Sequence, residues 1–327
     1  MTFSATEWKK LVAPYQKQSM KRAAWQIANS FVPYIALWFL AVWSLDVSYL
    51  LTLGLVTLNA AFMVRIFIMV HDCGHGSFFA SKKANDILGF IGGVITFTPY
   101  FWWTHTHAIH HATSSNLDRR GVGDIWTLTV QEYKNASKGL QLKYRLFRNP
   151  FVMFVAGPIY MFFFTNRFAG RKAERRWKIA VLWSNVALFA FAGAMIALVG
   201  LGPYLLIQLP MVFLAAVGGI WLFYMQHQFE GNYWERQDKW QYIRGAMEGS
   251  SYYKLPRILQ WFSGNIGFHH IHHLSPRIPN YFLDKCHHEN PVFQKVTTLN
   301  IRESLHCLTL RLYDEEQRKM VTFSAVS

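Results

Sequence analysis

The chain has 327 residues, of which 52% are hydrophobic and 17% aromatic, and its formal net charge is +15 at pH 7. Length alone would allow two or three soluble domains, but long uncharged apolar runs exclude that organisation. Basic residues near such runs are typical of cytoplasmic loops in membrane proteins. No basic stretch stands apart from these runs, so we expect no nucleic-acid binding.

The first half of the chain holds two apolar runs long enough for membrane spans, which take about 20 residues each. Residues 1–26 precede them and are polar and amphipathic, which predicts a helix on the membrane surface. Residues 27–45 and 47–70 are the first predicted pair of spans. Arg65 is the only charged residue in this pair, and it can snorkel to the surface or find a partner inside the protein.

Two shorter apolar stretches follow, and the second predicted pair of spans comes after them. Residues 87–103 are interrupted by glycines and Pro99, and residues 150–164 are short for a span. We expect both to be interfacial or re-entrant in the cytoplasmic leaflet. A tight re-entrant hairpin at the glycines of the first is an alternative that also keeps its two ends on one side. Residues 179–201 and 204–225 are separated only by a Gly-Pro pair, which predicts a second transmembrane hairpin.

Most of the 14 histidines fall into three short clusters. Residues three and four apart on a helix share one face, so each cluster can direct two or three imidazoles at one point, as a metal ion requires. The spaced histidines are His71 and His75, then His107, His110 and His111, then His269, His272 and His273. Eight nitrogens exceed the six positions of an octahedral ion, so the pattern predicts two ions. A structural zinc site is disfavoured, because such a site usually has about four ligands that include cysteine.

The distribution of Lys and Arg predicts the topology of the chain. Five precede the first span, fifteen lie between residues 70 and 179, and twelve follow residue 225. The positive-inside rule therefore places both termini and the middle segment in the cytoplasm. All three histidine clusters then lie on one face, beside span ends. Lipid from the bilayer could reach redox-active ions at this face. With O₂, such ions can attack the unactivated C–H bonds of acyl chains.

The predicted fold is an all-α integral membrane protein made of a single domain over residues 1–327. Four main transmembrane helices form two hairpins, and a cytoplasmic helical cap holds the histidine-rich site for two metal ions. The three cysteines, Cys73, Cys286 and Cys307, show no C-x-x-C spacing, which indicates reduced thiols. Cys73 lies within the first cluster but turns off its ligand face, so we expect it to pack.

The histidine spacings H-x-x-x-H, H-x-x-H-H and H-x-x-H-H resemble those of the membrane fatty acid desaturase family. The stretches 71–78, 110–118, 123–126 and 264–281 are most similar to the bacterial, Gram-positive acyl-lipid desaturases of delta-5 type that serve cold adaptation. The likeness covers nearly the whole chain.

The resemblance implies an enzyme of the cell membrane that inserts a cis double bond into a saturated acyl chain of a phospholipid. It implies O₂ as oxidant, two Fe ions as a di-iron centre, and ferredoxin or flavodoxin as the electron donor. The eight spaced histidines carry over as iron ligands, and His227 carries over as a ninth. Asn265 carries over as a water-mediated contact or a partner of a ligand.

Other polar residues near the clusters are assigned lesser roles. Carboxylates that could hold imidazole N–H groups are Asp72, Asp118, Asp124 and Glu230. His105 and His270 would point off the ligand faces. His287, His288 and His306 lie in polar sequence, so we expect them to be solvated.

Two other functions fit parts of the pattern. A related di-iron hydroxylase acting on acyl or other lipid chains would use the same histidine spacing. A non-catalytic membrane protein that binds or transports metal would instead require polar residues at mid-bilayer in several spans. Arg65 is the only charge in the four spans, so the transport interpretation is disfavoured.

Overall fold

A computed structural model describes residues 7–326 and shows a largely helical chain. The helices are Glu7–Val12 (α1), Met20–Ser44 (α2), Tyr49–Gly74 (α3), Lys82–Ile95 (α4), Tyr100–Thr113 (α5), Val130–Asn135 (α6), Lys138–Phe147 (α7), Gly157–Phe163 (α8), Arg175–Val199 (α9), Leu201–His227 (α10), Tyr242–Met247 (α11), Arg257–Phe262 (α12), His269–Leu274 (α13), Asn280–Glu289 (α14) and Ile301–Cys307 (α15). The strands are Tyr252–Tyr253 (β1), Thr298–Leu299 (β2), Leu312–Asp314 (β3) and Lys319–Val321 (β4).

Four helices, α2, α3, α9 and α10, are long and apolar enough to cross a membrane, which confirms the predicted fold class. Each extends beyond its apolar run, because backbone hydrogen bonding continues where the side chains become polar. Thus α2 begins at Met20, where the Ser19 side chain accepts a hydrogen bond from the Arg22 amide at 3.4 Å. At their other ends, α3 continues through His71 and α10 ends on His227.

Helix α3 is the centre of the bundle. It packs against α2, α4, α5 and α10. In its most apolar stretch of 18 residues, 56% are buried, compared with 17% in the corresponding stretch of α9. Val56, Ile66 and Met69 of α3 are fully buried. Large side chains on the outer helices are exposed, Trp183 and Phe189 among them, as expected for surfaces that face lipid.

The two shorter apolar stretches form bent pairs of helices. Helices α4 and α5 meet at 103°, and helix α7 meets the segment Val152–Arg167 at 63°. The first bend lies between Ile95 and Tyr100, where Phe97 has a φ of 56°. The alternative of a hairpin at the glycines is therefore wrong, because the chain bends after them. Gly89, Gly92 and Gly93 lie within α4 and allow close packing, since a Cβ at Gly89 would lie 2.3 Å from the Tyr100 ring. That these pairs are interfacial or re-entrant stays a prediction.

The C-terminal region forms a cap of short helices with two small sheets that were not predicted. Strand β1 pairs with β2 in parallel, and β3 pairs with β4 antiparallel. The N-terminal helix α1 joins this cap, with Val12 fully buried and the Tyr15 hydroxyl donating to Glu289 at 2.7 Å. The predicted helix of residues 1–26 is broken, since α1 ends at Val12 and α2 begins at Met20. Its place on the membrane surface stays a prediction, and residues 1–6 lie outside the described part of the chain.

Candidate metal centre

Four helices carry the candidate ligands to one place. His71 lies in the last turn of α3, and His75 is the residue that caps its C-terminus. The second cluster lies in the last turns of α5, His227 ends α10, and the third cluster forms α13. Each helix therefore presents imidazoles at one of its ends, where they reach beyond the apolar core.

The nine histidines divide into two groups. One ligand nitrogen from each member of the first group lies within 4.8 Å of the others, and this group is His71, His75, His107, His111 and His272. The same holds for a second group of three, His110, His227 and His273. His269 adjoins the second group, with its Nε2 2.9 Å from that of His227. The groups touch where the His111 and His273 rings stack, with centroids 4.1 Å apart.

The spacing of these nitrogens fits shared metal ions. His111 Nε2 lies 3.1 Å from His107 Nε2 and 3.0 Å from His272 Nε2. His227 Nε2 lies 3.3 Å from His110 Nε2. Two nitrogens bound about 2.1 Å from one ion, at angles of 90–109°, are about 3.0–3.4 Å apart. A neutral imidazole nitrogen carries one hydrogen or one lone pair, so His111 Nε2 cannot make linear hydrogen bonds to both neighbours. A shared cation explains both contacts.

Burial keeps the third cluster neutral. Burial, together with the neighbouring imidazoles, lowers the pKa of His269, His272 and His273 well below the usual histidine value. Neutral imidazole is the form that binds metal. The buried Nε2 atoms of His75 and His273 have no hydrogen-bond partner among the described residues, so their lone pairs are available to a cation.

Two carboxylates orient histidines from behind. Asp124 Oδ1 lies 2.6 Å from His110 Nδ1, and Asp72 Oδ1 lies 3.1 Å from His71 Nδ1. A hydrogen bond at Nδ1 fixes the tautomer that leaves Nε2 free for a metal. His227 is held in the same way by the backbone carbonyl of Gly249, 3.3 Å from its Nδ1.

Asn280 extends the contact behind His71 and could not be identified from the sequence, because a single asparagine after a proline carries no signal. Its backbone N–H and its side chain donate to Asp72 Oδ2 at 2.6 and 2.8 Å, and its Oδ1 accepts from Gln26 at 2.9 Å. Asp72, Asn280 and Gln26 are all buried. The orientation of His71 therefore depends on α2 and α14 as well as on its own helix.

Three residues predicted to assist the site make no described contact with a candidate ligand. The Asp118 carboxylate accepts from Arg236 at 2.8 Å and from the Gln237 amide at 2.9 Å, and these hydrogen bonds lower its pKa. Asn265 donates to the Asn280 carbonyl at 3.2 Å. Glu230 pairs with Lys319 at 3.6 Å.

The histidines predicted to lie outside the ligand set are absent from both groups. His105 stacks on Trp177 with ring centroids 4.3 Å apart. His270 is fully buried behind α13, 5.5 Å from the His287 ring. His288 and His306 are exposed as expected. His287 is only 6% exposed, so the prediction that it is solvated was wrong: it packs between Tyr252 and Phe268.

A family model described as Fatty acid desaturase matches residues 48–299, a stretch that contains all nine histidines. The chain belongs to the fatty acid desaturase family. As an enzyme of this family it is an oxidoreductase, and its four long apolar helices fit a multi-pass membrane protein.

Among its relatives, a "Fatty acid desaturase" of Bacillus subtilis (strain 168) is 50% identical over 317 residues, covering 97% of this desaturase and 90% of the relative. The sn-1 acyl-lipid omega-3 desaturase (ferredoxin) of Synechocystis is 29% identical over a 234-residue alignment, which covers 68% of this chain and 62% of that protein. An endoplasmic reticulum omega-3 fatty acid desaturase of Vigna radiata is 28% identical, over 67% of this chain and 59% of its own length. The bacterial relative confirms the predicted likeness to Gram-positive desaturases.

Proposed function

We propose that this desaturase introduces a cis double bond into a saturated acyl chain of a membrane phospholipid. The reaction would take place at the cytoplasmic face of the cell membrane. It would use O₂, a di-iron centre of two Fe ions, and two electrons from ferredoxin or flavodoxin. The observation that carries the proposal is the convergence of nine histidines into two adjoining groups beside the ends of apolar helices.

Two relatives support the substrate class and the donor. The Synechocystis protein and an Arabidopsis thaliana protein are both named acyl-lipid omega-3 desaturases (ferredoxin). The donor set is compatible with iron, since imidazole suits Fe as well as Zn, Cu and Ni. The net charge of +15 favours an acidic electron carrier as the partner.

The electron count is consistent with a desaturase. Reduction of O₂ to two waters takes four electrons, of which two come from the carbon chain as the double bond forms and two from the donor. The bound irons would supply the redox chemistry for this exchange.

The protein's part is to hold the ions and position the chain. Asp72 and Asp124 would keep His71 and His110 in the metal-binding tautomer. His75 and His107 are half-buried, whereas the second group is buried throughout. We therefore expect the acyl chain to approach the first group. The carbon that lies beside it would determine the position of the new double bond.

Expression in a host whose lipids lack polyunsaturated chains tests the proposal. We expect purified protein with two irons per chain, and host phospholipids that contain a new double bond. Mass spectrometry of the acyl chains distinguishes a loss of two hydrogens from the gain of one oxygen. A gain of oxygen would identify the related hydroxylase instead, and unchanged lipids beside an iron-free protein would refute both.

A further inference from the structure

Arg148 is a fully buried cation behind the second histidine group. It follows α7 directly, and its side chain has no solvent exposure. Its Nη2 donates to the Gln228 side chain at 2.8 Å, to the Leu310 carbonyl at 2.9 Å and to the Tyr224 hydroxyl at 3.2 Å. Its Nη1 donates to the Trp126 carbonyl at 3.4 Å. All four acceptors are neutral oxygens, so these hydrogen bonds form no ion pair. Their effect is to join the chain segments that carry the four acceptors.

Two of these segments lead directly to the second group. Gln228 is the next residue after His227. Trp126 is two residues after Asp124, whose carboxylate holds His110. The two segments also bond to each other, since the Gln228 amide donates to the Thr127 hydroxyl at 3.3 Å. Arg148 thus joins the end of α10, which carries His227, to the loop that orients His110.

The geometry requires a guanidinium rather than any cation. The planar guanidinium donates to acceptors in several directions at fixed angles, whereas a lysine ammonium is a compact point charge on a shorter side chain. A lysine at position 148 would keep the charge but could not donate hydrogen bonds to both the Trp126 carbonyl and the Gln228 side chain. The acceptor that lost its donor would be buried and unpaired. The free-energy cost of that unpaired acceptor is large enough to shift the loop or the helix end.

We propose that Arg148 is a positioning residue for the second metal ion. It holds His110 and His227 at the separation that ion needs. The first group lies on α3, on His107 and His111 of α5 and on His272 of α13, and none of the described hydrogen bonds of Arg148 reaches these histidines. The inference rests on the proposed function, because it assumes that both groups bind metal.

Metal binding by the full-length chain tests this inference apart from turnover. The purified protein is stripped with chelator and titrated with Fe²⁺ or Co²⁺, and bound metal is counted by elemental analysis. We expect two ions for the wild type. For Arg148→Lys we expect one ion bound as in the wild type and a second bound about 10- to 100-fold more weakly, the range for a disturbed partner of a ligand. His227→Ala should weaken the same ion.

Arg145→Lys is the matched control. Arg145 lies one turn earlier on α7 and donates to the Tyr133 hydroxyl at 2.5 Å, away from both groups, so two ions should remain. If Arg148→Lys does not accumulate as folded protein, Gln228→Met removes the bonds of Gln228 to Arg148 and Thr127 while it keeps the cation. The second ion should again weaken selectively. Unchanged binding in the variants, or equal weakening of both ions, would overturn the positioning role. A wild type that binds fewer than two ions would instead refute the proposed function.

Discussion

His270 and His272 lie two residues apart on the same short helix, yet only His272 turns toward the metal centre. His272 Nε2 lies 3.0 Å from that of His111, whereas His270 faces His287 behind α13. Both are fully buried. Position on the helix, rather than burial or residue type, therefore separates a ligand from a packed histidine.

This pair provides the first prediction. His272→Ala should lose an ion and reduce desaturation to background, because it removes one of the imidazoles grouped around His111. His270→Ala should retain both ions and measurable activity, although the loss of a buried ring lowers its thermal unfolding midpoint. Metal content and lipid analysis of the two variants check the assignment. Two ions in the His272 variant would contradict it.

His270 and His287 also predict a pH dependence of stability. Burial lowers the pKa of His270 to about 3 and that of His287 to about 4. The unfolded chain binds these protons near pH 6.5. Between pH 6.5 and about 4 the unfolded state holds more protons, so the free energy of unfolding falls as the pH falls through this window.

The measurement is the thermal unfolding midpoint of metal-free protein at pH 7.5 and pH 5. His287→Phe keeps an aromatic ring between Tyr252 and Phe268 but removes the titrating group. Its midpoint should decline less between the two pH values than that of the wild type. Equal declines would show that His287 does not contribute.

At the scale of elements, the junction between α4 and α5 aims the second histidine cluster. A Cβ at Gly89 would lie 2.3 Å from the ring of Tyr100, which begins α5. That ring must move to accommodate any side chain, and α5 would shift with it. A Cβ at Gly54 in α3 meets nothing within 4 Å.

These two glycines form a matched pair for mutation. Gly89→Ala should lower the thermal unfolding midpoint and weaken metal binding, because His107, His110 and His111 all lie on α5. Gly54→Ala should leave metal binding unchanged and be neutral or slightly stabilising, since alanine favours helix over glycine by roughly 0.5–1 kcal/mol. Unfolding scans and metal titration of both variants provide the comparison. Equal effects would show that the close contact at Tyr100 is unimportant.

The elements differ in how far the sequence determines them. Apolar runs of 19 to 24 residues, with Arg65 as their one charge, predicted four helices correctly. The three- and four-residue spacing selected the histidines that converge. The alternative hairpin in residues 87–103 was placed at the glycines rather than after them, because glycines that allow close packing resemble glycines that break a helix. Strands β1 and β2 are two residues long and too short for an alternating pattern. Asn280 and Arg148 gained their roles only from tertiary contacts between segments distant in the chain.

At the scale of the whole molecule, the convergence of the clusters constrains the topology. His71 and His75 precede the α4–α5 pair, and His107 and His111 end it, yet their ligand nitrogens lie within 4.8 Å of one another. A pair that crossed the membrane once would separate these histidines by the bilayer. We therefore expect α4 and α5 to enter and leave on the same side. The same reasoning applies to the pair formed by α7 and residues 152–167, because α9 and α10 already make two crossings before His227.

Cysteine labelling in intact cells tests this topology. The three native cysteines are buried, so the background should be low. Asp46, Gly202, Ser81, Arg119 and Lys172 are exposed and lie on both predicted sides. A membrane-impermeant thiol reagent should label Asp46→Cys, in the turn between α2 and α3, and Gly202→Cys, in the first turn of α10. It should leave Ser81→Cys, Arg119→Cys and Lys172→Cys unlabelled until the cells are opened. Labelling of Arg119→Cys but not Ser81→Cys in intact cells would mean that α4 and α5 cross the bilayer. In that case the first two histidine clusters could not share an ion.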